Sequence, residues 1–183
     1  MTPAMSRATA QPSPDTFSIK PVRSLLDRWL DGRAIVVDPF ARNSTIATIT
    51  NDLNPETSAQ HHMHSTEFMQ MLIDTRGTEW VDAVLIDPPY SPRQISECYR
   101  DAGRKVTATD TQNARLYKEC KDRAAILLKP GGVAICCGWN SVGMGKSRGF
   151  VLDEVLLVSC GGAHNDYIVT VDTKPNAAYM EVA

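Results

Sequence analysis

The stretch WVDAVLIDPPY, residues 80–90, decides the fold. Its first part is a short run of apolar and β-branched side chains, which is typical of a strand buried inside a sheet. Aspartate and two prolines follow at once, and proline has no backbone N–H with which to continue a strand ladder. The same pattern recurs in AIVVDPF (34–40) and ATITNDLNP (47–55). We therefore predict three buried strands that each run into an aspartate.

Segments with helical spacing separate these strands and follow them. Apolar residues recur three and four positions apart in VRSLLDRWL, which predicts a helix from about 21 to 30 that stops at Gly32. The remaining pattern predicts two more helices (65–73 and 112–128) and three more strands (131–140, 151–160 and 165–174). Strands that alternate with helices indicate an α/β fold, with helices packed on the faces of a mostly parallel sheet. The last two strands, joined by the turn GGAH, form a terminal hairpin that places an antiparallel strand at or near one edge.

Two segments lack such a pattern. Residues 1–14 contain three prolines and small side chains, so we expect a disordered tail ahead of one domain over residues 15–183. Residues 91–111 are polar and aperiodic, and we expect a long mobile loop with a short helix around ISECY.

The composition is that of an ordinary globular protein, with 43% hydrophobic residues, 22% charged residues and a net charge of -2. Neither an apolar run long enough to span a membrane nor a secretory signal is visible, so we expect a cytoplasmic protein without membrane partners. The 5 cysteines include no C-x-x-C pair, which indicates reduced thiols and neither disulfides nor zinc. His61, His62 and His64 have no matching ligand cluster, so we predict a solvated loop there and no metal.

Polar clusters stand at three of the predicted strand ends: Asp38-Pro39-Phe40, Asp52-Leu53-Asn54 and Asp87-Pro88-Pro89-Tyr90. In an open α/β sheet, ligands bind beyond the carboxyl ends of the strands. Aspartate and proline commonly end strands, so one such cluster is weak evidence of a site. Three of them in succession within one small domain predict a ligand site at that edge of the sheet.

The residue types of Asp87-Pro88-Pro89-Tyr90 suit the chemistry of an amino group. The carboxylate of Asp87 can accept one hydrogen bond from an –NH2 group, and a proline carbonyl can accept the second. Two acceptors on one nitrogen draw its lone pair out of conjugation with an aromatic ring. Tyr90 offers a flat face on which a flipped-out base can stack. The alternative interpretation is a rigid turn with a tyrosine in the core.

These residues resemble those of a known family. Asp87-Pro88-Pro89-Tyr90 resembles the catalytic motif D/N/S-P-P-Y/F of the amino-group DNA methyltransferases. Asp38-Pro39-Phe40 resembles the opening of their cofactor motif, D-P-F-x-G-x-G, and Phe17-Ser18-Ile19-Lys20-Pro21 resembles their motif at the methionine end of the cofactor. The order of the motifs is similar to the γ-type arrangement, and the chain resembles small phage and prophage adenine-N6 methyltransferases.

The resemblance implies a Rossmann-like class I methyltransferase fold and S-adenosylmethionine as cofactor. The implied reaction methylates N6 of a flipped-out adenine in DNA, in the host cytoplasm if the protein is phage-encoded. The implied catalytic residues are Asp87, Pro88, Pro89 and Tyr90. The implied cofactor-binding residues are Phe17, Ile19, Lys20, Pro21, Asp38, Pro39, Phe40, Asp52 and Leu53. Among these, the resemblance places Asp38 beside the methionine amino group and Asp52 on the ribose hydroxyls.

The sequence departs from the family in the turn after Phe40, where Arg42-Asn43-Ser44 stands in place of glycines. Asn43 tolerates a left-handed backbone, so the turn can still form. This turn and the missing recognition domain leave open a catalytically silent module that binds DNA or a protein. RNA of the ribosomal type and N4 of cytosine are further alternatives for the acceptor.

Size and charge bear on the binding of DNA. The net charge of -2 lacks the basic balance of a freestanding nucleic-acid binder. A short chain offers little surface for reading bases, so we expect low sequence specificity, a very short site or a homodimer. Arg93, Arg100, Arg104 and Lys105 follow the proposed catalytic motif, and either contact phosphates or belong to a plain mobile loop.

Overall fold

A seven-stranded sheet forms the middle layer of the computed structural model, which describes residues 2–89, 91–103, 113–161 and 165–176. The strands are β1 (Ala4–Thr9), β2 (Val36–Asp38), β3 (Ile49–Thr50), β4 (Val81–Ile86), β5 (Leu128–Gly138), β6 (Val151–Ser159) and β7 (Tyr167–Thr173). The helices are α1 (Lys20–Leu30), α2 (Ser65–Arg76), α3 (Pro92–Asp101) and α4 (Asn113–Leu127), with short 3-10 turns at Thr16–Ser18 and Lys146–Arg148. The strand order across the sheet is β1-β6-β7-β5-β4-β2-β3.

Strand direction follows the sequence-based prediction. Each described pair of neighbouring strands is parallel except where β7 is involved, and β7 is antiparallel to both β5 and β6. The predicted α/β fold, mostly parallel with one antiparallel hairpin strand, is confirmed, but the expected edge position is not: β7 lies between β6 and β5, and β1 forms the edge on that side. Because β7 runs backwards, its first residues lie beside the last residues of β5, where Ile168 pairs with Gly138. The start of β7 therefore joins the carboxyl ends of β2, β4 and β5 at one edge.

Alternating strand side chains supply an apolar core on each face of the sheet. On one face α1 packs Val22, Leu25 and Leu26 against the strands. On the other face α2 and α4 pack a second set of buried side chains: Phe68, Met69, Leu72, Cys120, Ala124 and Leu127. Cys136 and Cys137 are both buried, one in each core. Of the described helices, none combines the length and the apolar character that crossing a membrane requires.

The N-terminal segment differs from the sequence-based expectation. Residues Ala4–Thr9, expected within a disordered tail, form β1 and pair in parallel with β6 from Glu154 to Ser159. Nearly all of the β1 side chains are exposed, so the strand is stabilised by backbone hydrogen bonds to the sheet edge and not by burial. A strand of this kind leaves no hydrophobic pattern in the sequence, which explains why the expectation was wrong.

Helix α3 replaces the first part of the expected loop. It spans 10 residues, well beyond the short helix expected around ISECY. Ser91 caps its start, where the hydroxyl accepts a hydrogen bond from the Gln94 amide at 3.2 Å. Among the side chains of α3 that the structure describes, only Ile95 and Tyr99 are buried, four positions apart on one face, which is too little apolar pattern to predict a full helix. The remainder of the expected loop, 104–111, lies outside the described residues.

The connection between β5 and β6, residues 139–150, is held against α4 by a hydrogen bond and an ion pair. The buried ammonium of Lys121 on α4 donates a hydrogen bond to the Gly143 carbonyl. Arg148 donates to the Met144 carbonyl at 2.7 Å and forms an ion pair with Asp122 at 2.7 Å. These contacts hold the connection that begins at the carboxyl end of β5.

We expect Gly143→Ala to lower the free energy of unfolding by about 2–4 kcal/mol, because the new Cβ would overlap the buried carboxyl of Asp172. Gly149→Ala is the matched control, since Gly149 also has a positive φ (77°) but a Cβ at that position would meet no atom of the described residues within 4 Å. The control should lose only about 1 kcal/mol. Urea denaturation measures both, and equal losses would show that the Asp172 overlap is relieved without cost.

Candidate active site

A cavity of about 700 Å³ opens at the carboxyl edge of the sheet. This volume lies in the range of small-molecule and cofactor sites. Its walls come from the residues before α1 (13–16), the loops after β2 and β3 (40–43 and 52–57), the turn after β4 (87–89), α3 (94–101), Trp139 and the residues at the start of β7 (165–167). The ends of several strands converge on one cavity, as the polar clusters at those ends predicted.

The turn after β4 places the first residues of the proposed catalytic motif on the cavity wall. Asp87 is half-buried and accepts a hydrogen bond from the Thr16 side chain. Burial raises the pKa of Asp87 to about 7; the carboxylate of Asp15 raises it further, while the charge of Arg42 opposes the shift. Pro88 and Pro89 line the same cavity. Tyr90, the last residue of the motif, lies outside the described residues.

Asp38, at the end of β2, lies beneath the cavity wall. One carboxyl oxygen accepts a hydrogen bond from the Phe40 amide at 2.9 Å, while the other is buried and has no hydrogen-bond partner among the described residues. Burial raises the pKa of Asp38 to about 8, and the nearby carboxylates of Asp87, Asp52 and Asp15 add to the shift. A fully buried acid thus lies close to Asp52 and Asp87 of the cavity wall, and a neighbouring cation would stabilise its charged form.

The turn after Phe40 forms without glycine. Arg42, and not Asn43, takes the left-handed conformation, with a φ of 50°. The Arg42 amide donates to one oxygen of Asp52 at 3.1 Å, and the Asn54 amide donates to the other at 2.8 Å. Asn43 instead accepts a hydrogen bond from the Ser58 amide at 2.9 Å. Asp52 therefore ties the turn after β2 to the end of β3.

Asn51 is a positioning residue that the sequence analysis missed. Its fully buried side chain donates to the carbonyls of Pro39 (3.1 Å) and Met63 (3.0 Å) and accepts from the Met63 amide at 3.0 Å. It thereby fixes the Asp38-Pro39 turn against the segment before α2. The available signal was an amide side chain at the end of an apolar strand run, next to Asp52.

We expect Asn51→Ala to lower the free energy of unfolding by about 2–4 kcal/mol, because one buried and two partly buried hydrogen bonds to backbone groups are lost. Asn54→Ala is the control, since the Asn54 side chain accepts one exposed hydrogen bond, from Glu56. Its loss should stay near 1 kcal/mol or below. Chemical denaturation of both variants tests the difference, and an Asn51 loss no larger than the control would contradict the positioning role.

The predicted methionine-end segment lies beside the cavity's first wall residues, and its role toward a cofactor stays a prediction. Phe17 and Ile19 are 3% and 4% exposed and pack in the core with α1. Lys20 is exposed, Pro21 lies in the first turn of α1, and neither is among the described residues that line the cavity. Apolar burial explains this placement, because the core gains most from Phe17 and Ile19. The cavity is lined instead by Ser13, Pro14 and Thr16 just before them.

Some of the other predicted cofactor residues line the cavity and some do not. Phe40 and Asp52 line the cavity, whereas the buried Pro39 and the half-buried Leu53 are not among the described residues that line it. Their roles toward a cofactor stay predictions.

Two aromatic residues of the site were also missed. Trp139 follows β5 directly and is 49% exposed, and Tyr167 begins β7 and is half-buried. Both line the cavity and offer flat faces to a planar ligand. The tryptophan at the end of an apolar strand run was a usable signal, whereas Tyr167 reaches the site only because β7 is antiparallel.

The cavity wall is acidic. Its described residues include one guanidinium, that of Arg42, and five carboxylates: Asp52, Glu56, Asp87, Glu97 and Asp101. Arg93 pairs with Glu97 at 2.8 Å, so its charge is partly neutralised, and Arg104 and Lys105 lie outside the described residues. No group of three or more His, Cys, Asp or Glu side chains suited to a metal occurs in the described ranges. His61 packs against the Phe68 ring, 5.3 Å between centroids.

Comparison with known proteins shows which fold carries this site. No family model and no curated protein matches the sequence. Among solved structures, TrmN from Thermus thermophilus matches 85% of this chain (19% identity, TM-score 0.53), and NSun6 from Pyrococcus horikoshii, solved with SFG, matches 83% (14%, 0.55). The fold is that of the Rossmann-like methyltransferases.

A third solved structure with this methyltransferase fold is 1,6-didemethyltoxoflavin-N1-methyltransferase from Burkholderia thailandensis, with bound 1,6-didemethyltoxoflavin and S-adenosylhomocysteine. It is 14% identical over 86% of this chain and 78% of its own, with a TM-score of 0.53. The present chain spans 49% of TrmN and 51% of NSun6. At these identities the likeness establishes the fold, and the reaction has to be argued from the site.

Proposed function

We propose that the protein transfers a methyl group from S-adenosylmethionine to an exocyclic amino group, N6 of adenine in DNA. The observation that carries the proposal is Asp87 followed by Pro88, on the wall of a cavity at the carboxyl edge of a methyltransferase fold. Hydrogen-bond acceptors at that position suit an amino group that must lose its conjugation before it attacks a methyl donor.

The chemistry of the cavity fits the cofactor. S-adenosylmethionine carries a positive sulfonium and a positive ammonium, and the wall is acidic, with the unpaired oxygen of Asp38 buried beneath it. Asp52 lines the cavity where ribose hydroxyls would be held; its oxygens each accept one backbone hydrogen bond and keep further lone pairs. When bound, the cofactor supplies a methyl group already activated on sulfur.

The chain's own residues then bind and orient the acceptor. The Asp87 carboxylate and the Pro88 carbonyl accept the two amino hydrogens, and Trp139 or Tyr167 stacks on the base. Catalysis comes from positioning and from acceptors already in place. A cysteine nucleophile has no support, because burial raises the pKa of Cys98, which lines the cavity, and of the fully buried Cys136.

A second candidate acceptor is favoured by the charge of the wall. Carboxylates of Asp52, Glu56 and Asp101 would repel a phosphate backbone lying across the mouth. A small heteroaromatic amine without phosphates meets no such repulsion. RNA, N4 of cytosine and a silent binding module remain the alternatives for a chain that fails with DNA.

The test is methyl transfer from labelled S-adenosylmethionine to adenine-unmethylated DNA, as duplex and single strand, beside RNA and free nucleosides. Mass spectrometry of the digested products identifies the methylated nucleoside. The proposal expects N6-methyladenine from DNA. Transfer to a nucleoside alone favours the small-amine acceptor, and a chain that binds no cofactor at millimolar concentration is a silent module.

A further inference from the structure

We propose that the guanidinium of Arg42 binds the carboxylate at the methionine end of S-adenosylmethionine. The inference rests on the proposed function and adds the residue that orients the amino-acid end of the cofactor. Its basis is the place of one arginine in an acidic cavity, together with the backbone that presents it.

Charge complementarity selects Arg42. The cofactor has two cationic groups, which suit the acidic wall, and one carboxylate, which does not. Among the described residues of the wall, Arg42 offers the one Lys or Arg side chain to that carboxylate. A guanidinium matches a carboxylate with paired, charge-assisted hydrogen bonds.

The position of Arg42 suits this role. The residue follows β2 by four positions, in the turn after Asp38, and its charge is close enough to Asp87 to oppose the rise of that residue's pKa. One guanidinium N–H donates to the Pro14 carbonyl at 2.9 Å, across to the segment before α1. That hydrogen bond holds the side chain at the cavity wall and uses one of its five N–H donors, which leaves donors for a ligand carboxylate.

The backbone conformation adds a second, independent argument. Arg42 has a φ of 50°, a region that costs an L-residue about 1–2 kcal/mol and costs glycine nothing. The hydrogen bond from the Arg42 amide to Asp52 holds this conformation, which presents a guanidinium at the cavity wall where glycine would offer no side chain.

Isothermal titration calorimetry with two ligands tests the assignment. The probes are S-adenosylhomocysteine and its decarboxylated analogue, which keeps the adenine, ribose, sulfur and ammonium. The variants are Arg42→Gln, which removes the charge, Arg42→Gly, which also relieves the backbone, and Arg42→Lys, which keeps the charge without the fork. Arg23→Gln is the control, because Arg23 lies on α1 in an exposed pair with Asp27.

The wild-type protein and the Arg23 control should bind S-adenosylhomocysteine roughly 10- to 100-fold more tightly than the analogue. Arg42→Gln and Arg42→Gly should lose that preference, because their affinity for S-adenosylhomocysteine falls while their affinity for the analogue is unchanged. Arg42→Lys should keep part of the preference. Equal weakening of both ligands, or a preference that survives Arg42→Gln, overturns the assignment. A wild-type protein that binds neither ligand overturns the proposed function itself, which is a distinguishable result.

Discussion

Asp87→Ala should reduce methyl transfer by roughly 10²–10³-fold, while S-adenosylmethionine still binds and the fold is kept. The carboxylate lies on the cavity wall, half-buried, with the Thr16 side chain already donating to it. Its contribution is a preformed acceptor for the amino group, and such a group acts mainly on the transition state. The loss should therefore appear in kcat, measured with cofactor and DNA both saturating.

Asp87→Asn separates an acceptor role from a proton-transfer role. The amide keeps one acceptor oxygen, and asparagine is a permitted first residue of the motif that this chain resembles. We therefore expect an activity between those of the wild-type protein and Asp87→Ala. Because burial raises the pKa of Asp87 to about 7, the wild-type kcat should fall as the pH drops below about 7 and protonates the carboxylate. In Asp87→Asn, kcat should no longer fall as the pH drops below about 7.

Asp74→Ala is the control for both variants, since Asp74 is exposed on α2 and accepts a hydrogen bond from Gln70 on the same helix. The control should keep the wild-type kcat and its pH profile. An Asp87→Ala variant that methylates at the wild-type rate would remove Asp87 from the reaction. Loss of cofactor binding in that variant would instead place Asp87 in the cofactor pocket.

The central strands and most helices were predictable because their signals are local. The run Val81–Ile86 is buried throughout and apolar except for Asp82, and a short run of this kind that stops at Asp-Pro-Pro favours a buried strand. Helix α1 shows the three-and-four spacing of a helix packed on one face. The strand β1 gives no such signal, because its stability comes from pairing with β6, more than a hundred residues away.

The residues of the candidate site also differ in whether the local sequence indicates them. Asp38, Asp52 and Asp87 were predictable because each stands where an apolar run stops, and parallel strands bring their carboxyl ends together. Thr16 and Tyr167 were not, because each owes its place to a part of the chain distant in sequence: Thr16 to its contact with Asp87, and Tyr167 to the antiparallel direction of β7. The left-handed turn was assigned to Asn43 on intrinsic tolerance, whereas Arg42 takes it because Asp52 accepts the Arg42 amide there.

Asp38→Asn should remove a large part of the pH dependence of stability. The pKa of Asp38 is about 8 in the folded protein against an ordinary value of 3.8, so the folded state holds a proton that the unfolded chain releases. The free energy of unfolding should therefore fall as the pH rises from about 4 to about 8, and level off above that. One pKa unit corresponds to about 1.4 kcal/mol, so the total fall is on the order of several kcal/mol.

The contribution of Asp38 is the difference between the wild-type protein and Asp38→Asn in how the free energy of unfolding changes with pH. Burial also raises the pKa of Asp87 to about 7 and that of Asp172 to about 6, and both contribute with the same sign. The asparagine side chain keeps the acceptor for the Phe40 amide but brings a buried NH2 group, so its absolute stability can be lower by about 1–3 kcal/mol. The comparison therefore uses urea denaturation at each pH from 5 to 9, with Asp74→Asn as the control.

Ligand binding provides a second measurement of the same group. A cation bound beside Asp38 favours the carboxylate, so S-adenosylmethionine should release a proton as it binds near pH 7. Calorimetry in two buffers of different ionisation enthalpy measures the number of protons released on binding. Cofactor binding to Asp38→Asn should release fewer protons than binding to the wild-type protein. The prediction would be contradicted by a wild-type free energy of unfolding that is constant from pH 5 to 8, together with cofactor binding that releases no proton. Asp38 would then be ionised already, with its carboxylate hydrated.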